Sequence, residues 1–198
     1  MSPSTELAPL LSRPEGLRPV CDYLDSLRNG ELQRAVLSLR GSELGRLFEL
    51  ASEGLPPAQA ELAPPGGRCW CWEGRNSLPM FSRFQKCFTR LEGGELLGWN
   101  RQPLHRLTGP GYFQVRPAGG EPPWPRELIF DYRNFPAGRP AGWPRPRSNR
   151  GLPSRLVFGG LVDYVRRVTD GVLVGRATRD GRVLRSWFVL VRPTQPCS

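Results

Sequence analysis

Four side chains in this chain have the chemistry of general acids or bases and stand in segments that a fold can organise: Asp131, Asp163, His105 and Tyr132. A carboxylate becomes a useful base when burial moves its pKa towards neutrality, and a tyrosine or histidine beside it can serve as the acid. Asp131 and Asp163 both lie in apolar, strand-like runs, LIFDY and LVDYVRRV. Each has arginines nearby in sequence, Arg133 for Asp131 and Arg166 with Arg167 for Asp163, and such neighbours hold a carboxylate ionised and weaken it as a base. His105 is the only histidine, so any mechanism that needs an imidazole must use it. No Gly-x-Ser-x-Gly elbow accompanies it, which leaves a hydrolase triad without support. No Walker A sequence occurs, and the glycine pairs lack the strand and helix context of a dinucleotide fingerprint. No cofactor is implied.

The cysteines are Cys21, Cys69, Cys71, Cys87 and Cys197. Cys69-Trp70-Cys71-Trp72 invites a metal reading, but zinc needs about four ligands, and Cys21, Cys87, Cys197 and His105 are each isolated in sequence. The stronger reading is an alternating strand with cysteines on one face and tryptophans on the other, and no metal site. An odd cysteine count that fits no disulfide frame, an N-terminus without a leader-like pattern and the absence of any run near the ~20 apolar residues of a membrane span make a soluble, cytoplasmic protein the expectation.

The elements that must position these groups are clearest at the end of the chain. Arg155 to Arg192 holds apolar runs separated by Thr169-Asp170-Gly171 and Arg179-Asp180-Gly181, and Asp-Gly between such runs signals a tight hairpin. Leu173, Gly175 and Ala177 share one face against Val172, Val174 and Arg176. The last run is apolar on both faces from Trp187, which predicts a strand covered on both sides. An antiparallel meander follows, with Leu156 to Phe158 as a candidate fourth strand. Upstream, Leu96 to Asn100, Gly111 to Arg116 and Leu128 to Tyr132 read as short strands. Asn76 to Arg90 reads as a short amphipathic helix, with Phe81, Phe84 and Phe88 inward and Arg83, Lys86 and Arg90 between them. Arg133 to Pro153 is the longest irregular stretch.

Residues 1–16 read as loose. Leu17 to Leu27 and Glu31 to Glu53 carry helical periodicity, broken at Asn29-Gly30, with Ser42 as a candidate N-cap and Gly54 to Pro57 as the stop. The fold class is therefore α+β: an N-terminal helical hairpin with its linker over residues 1–65, packed on an antiparallel β-barrel over residues 66–198. Glycine and proline, 23 and 22 residues, suit a turn-rich β protein.

The net charge of +10 is uneven. Residues 1–65 hold six arginines against nine acids, and residues 66–198 hold 21 arginines and Lys86 against nine acids. A basic β domain is compatible with nucleic acid, with Arg145, Arg147 and Arg150 as contacts and Trp143 to stack on a base. The near-total use of arginine over lysine points more to compositional bias, so nucleic acid is possible but not favoured.

From Trp72 onward the layout resembles lipocalin-like small barrels, in particular bacterial proteins with a G-x-W-x-G strand and a lipocalin-like C-terminal half. The matching pieces are Trp72-Glu73-Gly74 and the closing FGGLVDYVRRV…GVLVGRA…WFVLVR, over roughly the last two-thirds of the chain; Trp70 stands where the first glycine of the motif would be. The resemblance transfers no catalytic residue. It implies a barrel cavity able to hold a small hydrophobic or amphipathic molecule. On that basis Trp72, Trp99, Tyr112, Tyr132 and Tyr164 are the candidate lining, with Arg83, Arg166 or Asp163 orienting a polar head. A cofactor-independent isomerase or cyclase acting in the same cavity is the alternative.

Overall fold

In the computed structural model, which describes residues 3–64, 66, 68–78, 82–103, 105–134 and 138–197, eight antiparallel strands close into a barrel in which each strand pairs with its neighbours in sequence. The strands are β1 (Trp70–Asn76), β2 (Arg83–Arg90), β3 (Leu96–Arg101), β4 (Phe113–Pro117), β5 (Leu128–Asp131), β6 (Leu161–Thr169), β7 (Val172–Arg179) and β8 (Arg182–Val191). β8 pairs back onto β1 through Gly74 opposite Leu190, so no strand edge is left open.

The β6–β7–β8 meander turns where Asp-Gly occurs. Asp180 and Gly181 both have positive φ, 49° and 79°, the backbone that a tight hairpin requires. The fourth strand is not Leu156–Phe158, which belongs to a short helix, α7 (Ser154–Phe158); Gly159 and Gly160 end that helix, and the strand begins at Leu161.

Side chains alternate across the barrel wall. Trp72, Phe88, Phe113, Phe130, Leu173, Phe188 and Leu190 pack together in one buried cluster inside the barrel. Three inward glycines make room for these rings. A Cβ on Gly98 would stand 2.3 Å from Phe113, one on Gly175 2.2 Å from Phe188, and one on Gly74 2.6 Å from Phe84. Leu62 and Ala63 pack against this cluster, and the Trp72 indole donates to the Leu62 carbonyl at 3.1 Å.

Outside the barrel, residues before 65 form five short helices: α1 (Pro3–Leu10), α2 (Arg18–Ser26), α3 (Asn29–Val36), α4 (Gly41–Leu50) and α5 (Gln59–Leu62). Leu7, Leu24, Val36, Leu44 and Phe48 bury the outward Val172, Val174, Val189 and Val191, which is why those strands are apolar on both faces. The N-terminal segment read as loose is thus helical, because Leu7 and Leu11 find a core to enter. The expected hairpin is a run of short helices. α3, α4 and α5 each start with a glutamate that accepts the backbone N–H three residues before it: Glu31 from Arg28, Glu43 from Arg40 and Glu61 from Ala58. Arg40, not Ser42, is the N-cap of α4. Among the described residues no helix is long and apolar enough to cross a membrane.

Over Arg83–Arg90 the amphipathic helix expected within Asn76–Arg90 is strand β2, and Pro79 and Phe81 of that expectation lie outside the described residues. Phe84 and Phe88 sit four residues apart, a spacing that serves both a helix face and a strand face. In the strand, Lys86 joins them on the inward side.

Candidate functional site

That inward lysine is the centre of the site. Lys86 lies directly opposite Asn100 of β3, and Asp163 of β6 and Tyr132, just after β5, reach it from elsewhere on the wall. Its ammonium donates to Asn100 Oδ1 at 2.9 Å, to Asp163 Oδ2 at 3.1 Å and to the Tyr132 hydroxyl. Three N–H groups thus meet three acceptors, as a buried ammonium requires. Asn100 Nδ2 donates to the Gly111 carbonyl at 3.0 Å and to the Tyr132 oxygen at 3.1 Å. Lys86 is 2 % exposed and Asp163 4 %.

The surroundings are aromatic. The Lys86 nitrogen is 4.8 Å from the ring centre of Phe113, 5.0 Å from Phe188 and 5.3 Å from Phe130, within the range in which a cation is drawn to a ring face. Phe158 of α7 stacks on Tyr132 at 5.6 Å with the planes 7° apart. Burial pushes the Lys86 pKa down, and Asp163 works against that. Burial, then the charge of Asp163, pushes the Tyr132 phenol well above its ordinary value, so Tyr132 is held protonated.

This quartet forms part of the lining of a cavity of about 380 Å³ at one end of the barrel. Phe158 and Phe188 are buried members of its lining, Phe84 and Leu184 are half-buried, and Leu78 and Leu156 are exposed. Trp72, Phe88, Phe113 and Phe130 of the buried aromatic cluster are not in this lining, so among the described residues the cavity has the form of a cup. The Tyr132 hydroxyl proton has its nearest acceptors at 3.3 Å (Asp163) and 3.4 Å (Asn100), long for an O–H donor. It is the donor in the quartet with capacity to spare.

The other candidate residues fall elsewhere, mostly by strand parity. Asp131 is buried but on the outer face of β5, where Arg133 Nη2 and Arg116 Nη2 donate to it at 2.7 and 2.9 Å. Tyr164 also points outward and donates to the Pro122 carbonyl. Arg166 faces away from the cup as well, held by the Phe48 carbonyl and Glu127, both at 2.8 Å, beside an outer groove of about 430 Å³ that includes Leu55 and Trp124. Trp99 and Tyr112 pack with Trp143 outside the barrel, the Tyr112 hydroxyl donating to the Pro144 carbonyl at 2.8 Å. Trp72 is inside, opposite Lys86 in the β1–β2 register, but it is fully buried in the core cluster and does not belong to the cavity lining. Arg83 is exposed at the start of β2. His105 belongs to the short helix α6 (His105–Thr108), and its side chain lies outside the described residues. Of the proposed acids and bases, then, Asp163 and Tyr132 come together, Asp131 does not join them, and Lys86 and Asn100 enter unforeseen.

Two further expectations change. Trp143 is buried against Trp99 and Tyr112, so it offers no face for a base to stack on, although Arg145, Arg147 and Arg150 are exposed. The cysteines that are isolated in sequence are not isolated in space: Cys87 and Cys197 lie beside Cys69 and Cys71, with Cys71 and Cys87 joined in a disulfide. Cys21 is apart, its thiol donating to the Val168 carbonyl at 3.1 Å. No protein-family model, curated protein or solved structure matches the chain.

Proposed function

We propose that the barrel binds a small, mainly apolar molecule carrying a carbonyl-type oxygen, with the apolar body in the cup and the oxygen at the Tyr132 hydroxyl. The observation that carries this reading is a fully interconnected polar quartet set among aromatic and aliphatic side chains of the cavity, with one donor proton left weakly engaged. Ligand sites commonly combine apolar walls with a few placed polar groups that fix orientation. Lys86 and Asp163 offset each other's charge, so the quartet itself favours a neutral polar head, while Arg179, also in the lining, is engaged by the Val157 carbonyl. The resemblance to lipocalin-like barrels points the same way.

Binding of the naphthyl ketone Prodan tests this. Its emission should shift to the blue and saturate with the full-length protein, and Tyr132→Phe, which removes one hydroxyl from a packed ring, should weaken binding several-fold while circular dichroism stays native. Saturable binding untouched by Tyr132→Phe and by Lys86→Met would remove the reading.

One observation favours a second reading, proton transfer on the bound molecule. Asp163 is not clamped by Arg166, whose guanidinium is on the opposite face, so its partners are Lys86 and the protonated Tyr132. A base and an acid beside one carbonyl is the arrangement that enolisation, and hence isomerisation or cyclisation, requires. Mass spectrometry of molecules extracted from purified protein separates the two readings. A single unchanged compound from both wild type and Asp163→Asn supports a carrier, whereas a precursor that accumulates only on Asp163→Asn supports an enzyme.

A further inference from the structure

A second centre lies on the outer face of β1 and β2. Cys69 immediately precedes β1 and Cys71 lies within it, so both side chains leave the same face of the extended backbone. Cys87 is directly opposite Cys71 in the β1–β2 register, with the Cα atoms 4.0 Å apart. Cys197 arrives from the C-terminal segment, and its N–H donates to the Cys69 carbonyl at 2.9 Å, which holds the end of the chain against the barrel. All four Sγ atoms lie within 4.8 Å of one another. Cys69 and Cys71 are 3.8 Å apart at sulfur, and Cys71 and Cys197 2.8 Å.

A tetrahedral zinc ion with Zn–S bonds of about 2.3 Å sets its sulfurs roughly 3.8 Å apart. We propose that, with all four cysteines in the thiol form, Cys69, Cys71, Cys87 and Cys197 bind one zinc ion as a closed tetrathiolate centre that fastens the C-terminal segment to β1 and β2. The disulfide alone leaves this grouping without a purpose: it uses Cys71 and Cys87, yet two more sulfurs from distant parts of the sequence converge on it. Leu97, Tyr112 and Trp143 pack around the cluster and shelter it from water on one side. Arg101 is close enough to Cys69 to act on it electrostatically, and its positive charge offsets part of the −2 charge of a zinc tetrathiolate.

The chemistry balances simply. The Cys71–Cys87 disulfide is the two-electron-oxidised form of the set; a trialkylphosphine and one water return it to two thiols, with the phosphine leaving as its oxide. Four Cys–SH and Zn²⁺ then give Zn(S-Cys)₄²⁻ and four protons. The site is structural in kind, since four protein ligands leave no open position for a substrate or water.

The test uses the full chain prepared with a phosphine reductant. Elemental analysis should find one zinc per chain, and cobalt(II) titrated into metal-free protein should produce the visible absorption of a tetrahedral ion together with a sulfur-to-cobalt charge-transfer band. Cys197→Ser sits in the terminal segment and leaves the barrel intact; it should lower zinc affinity by at least about tenfold, the loss that even an outer-shell change can cause, with native circular dichroism. Cys21→Ser should retain full binding. Reduced protein with four reactive thiols at this cluster that takes up neither zinc nor cobalt overturns the proposal, as does a Cys21→Ser variant that loses as much affinity as Cys197→Ser.

Discussion

Two buried aspartates sit on neighbouring strands, and they have opposite fates. Asp131 on β5 is 0 % exposed and Asp163 on β6 is 4 % exposed. In register, Asp131 stands opposite Val162 and Phe130 opposite Asp163, so a single residue step separates the outer carboxylate from the inner one. On the outside, Asp131 meets two guanidiniums whose far ends reach water, Arg133 and Arg116, with Glu121 bridging them. Inside, Asp163 meets one ammonium in a ring of aromatic side chains. The first is a structural clamp with every oxygen occupied. The second is bound by groups that also face a cavity, and only there can a foreign molecule compete for the hydrogen bonds. Strand parity, a period of two, decides which carboxylate could do chemistry.

Removing one partner of each pair is the direct way to break the comparison, and the interior should suffer most. Lys86→Met strands Asp163 without a counter-ion, and loss of one member of a buried pair costs about 3–5 kcal/mol. Urea unfolding at neutral pH should show that loss. The double variant Lys86→Met with Asp163→Leu should recover most of it, because apolar groups of similar volume replace a buried pair at little cost. A single variant as stable as wild type would mean that water reaches Asp163 freely and that the cup is more open than the packing around it implies.

The outer clamp should respond less, because Arg116 and Arg133 are partly exposed and solvent screens them. Asp131→Asn is expected to cost about 1–2 kcal/mol at pH 7. The pH dependence identifies the cause. Burial acts to raise the Asp131 pKa, but the hydrogen bonds from Arg133 and Arg116 together outweigh it and leave the pKa below its ordinary value. A carboxylate with a lowered folded pKa contributes stability that is fully present above its unfolded pKa of about 3.9 and is lost as the pH falls through the folded value. Wild type and Asp131→Asn should therefore converge in stability as the pH drops below about 4. A gap that stays constant down to acid conditions would assign the loss to shape rather than to charge.

The same parity explains what could be read from the residues alone and what could not. The closing strands were legible because Asp-Gly fixes the turns and the valines sit on alternate positions. In LIFDY the alternation of a strand sets Asp131 opposite to Phe130 and Tyr132, and the residues alone carry that. The inner partner of Asp163 was hidden, because Phe84 and Phe88 at a four-residue spacing satisfy a helix and a strand equally, and a lysine between phenylalanines reads as solvated when the segment is taken as a surface helix. One signal was present: Lys86 is the only lysine among 28 basic residues. A compact ammonium with three donors fits a cage of three acceptors in a way that a planar guanidinium does not. The sulfur cluster was hidden for a different reason. Its members are up to 128 residues apart, Cys69 to Cys197, and only the β1–β2 pairing and the docking of the C-terminal segment bring them together.

The smallest stability effects belong to the two apolar lips, and they sharpen the contrast between inside and outside. Leu156 contributes to the cup and is 69 % exposed, while Leu55 borders the outer groove near Arg166 and is 77 % exposed. Because both already face water, Leu156→Ser and Leu55→Ser should each change stability by no more than about 0.5 kcal/mol. Their effect on a ligand should differ. On the proposed reading a leucine at the cup would cover the apolar body of the ligand, and a leucine side chain's burial is worth about 1.5–3 kcal/mol when complete. Covering it partly on binding should make Leu156→Ser weaken Prodan binding by about three- to tenfold, whereas Leu55→Ser should leave it unchanged. The reverse pattern, with Leu55→Ser weakening the probe and Leu156→Ser having no effect, would move the binding site to the outer groove and return Arg166 to the position of head-group partner.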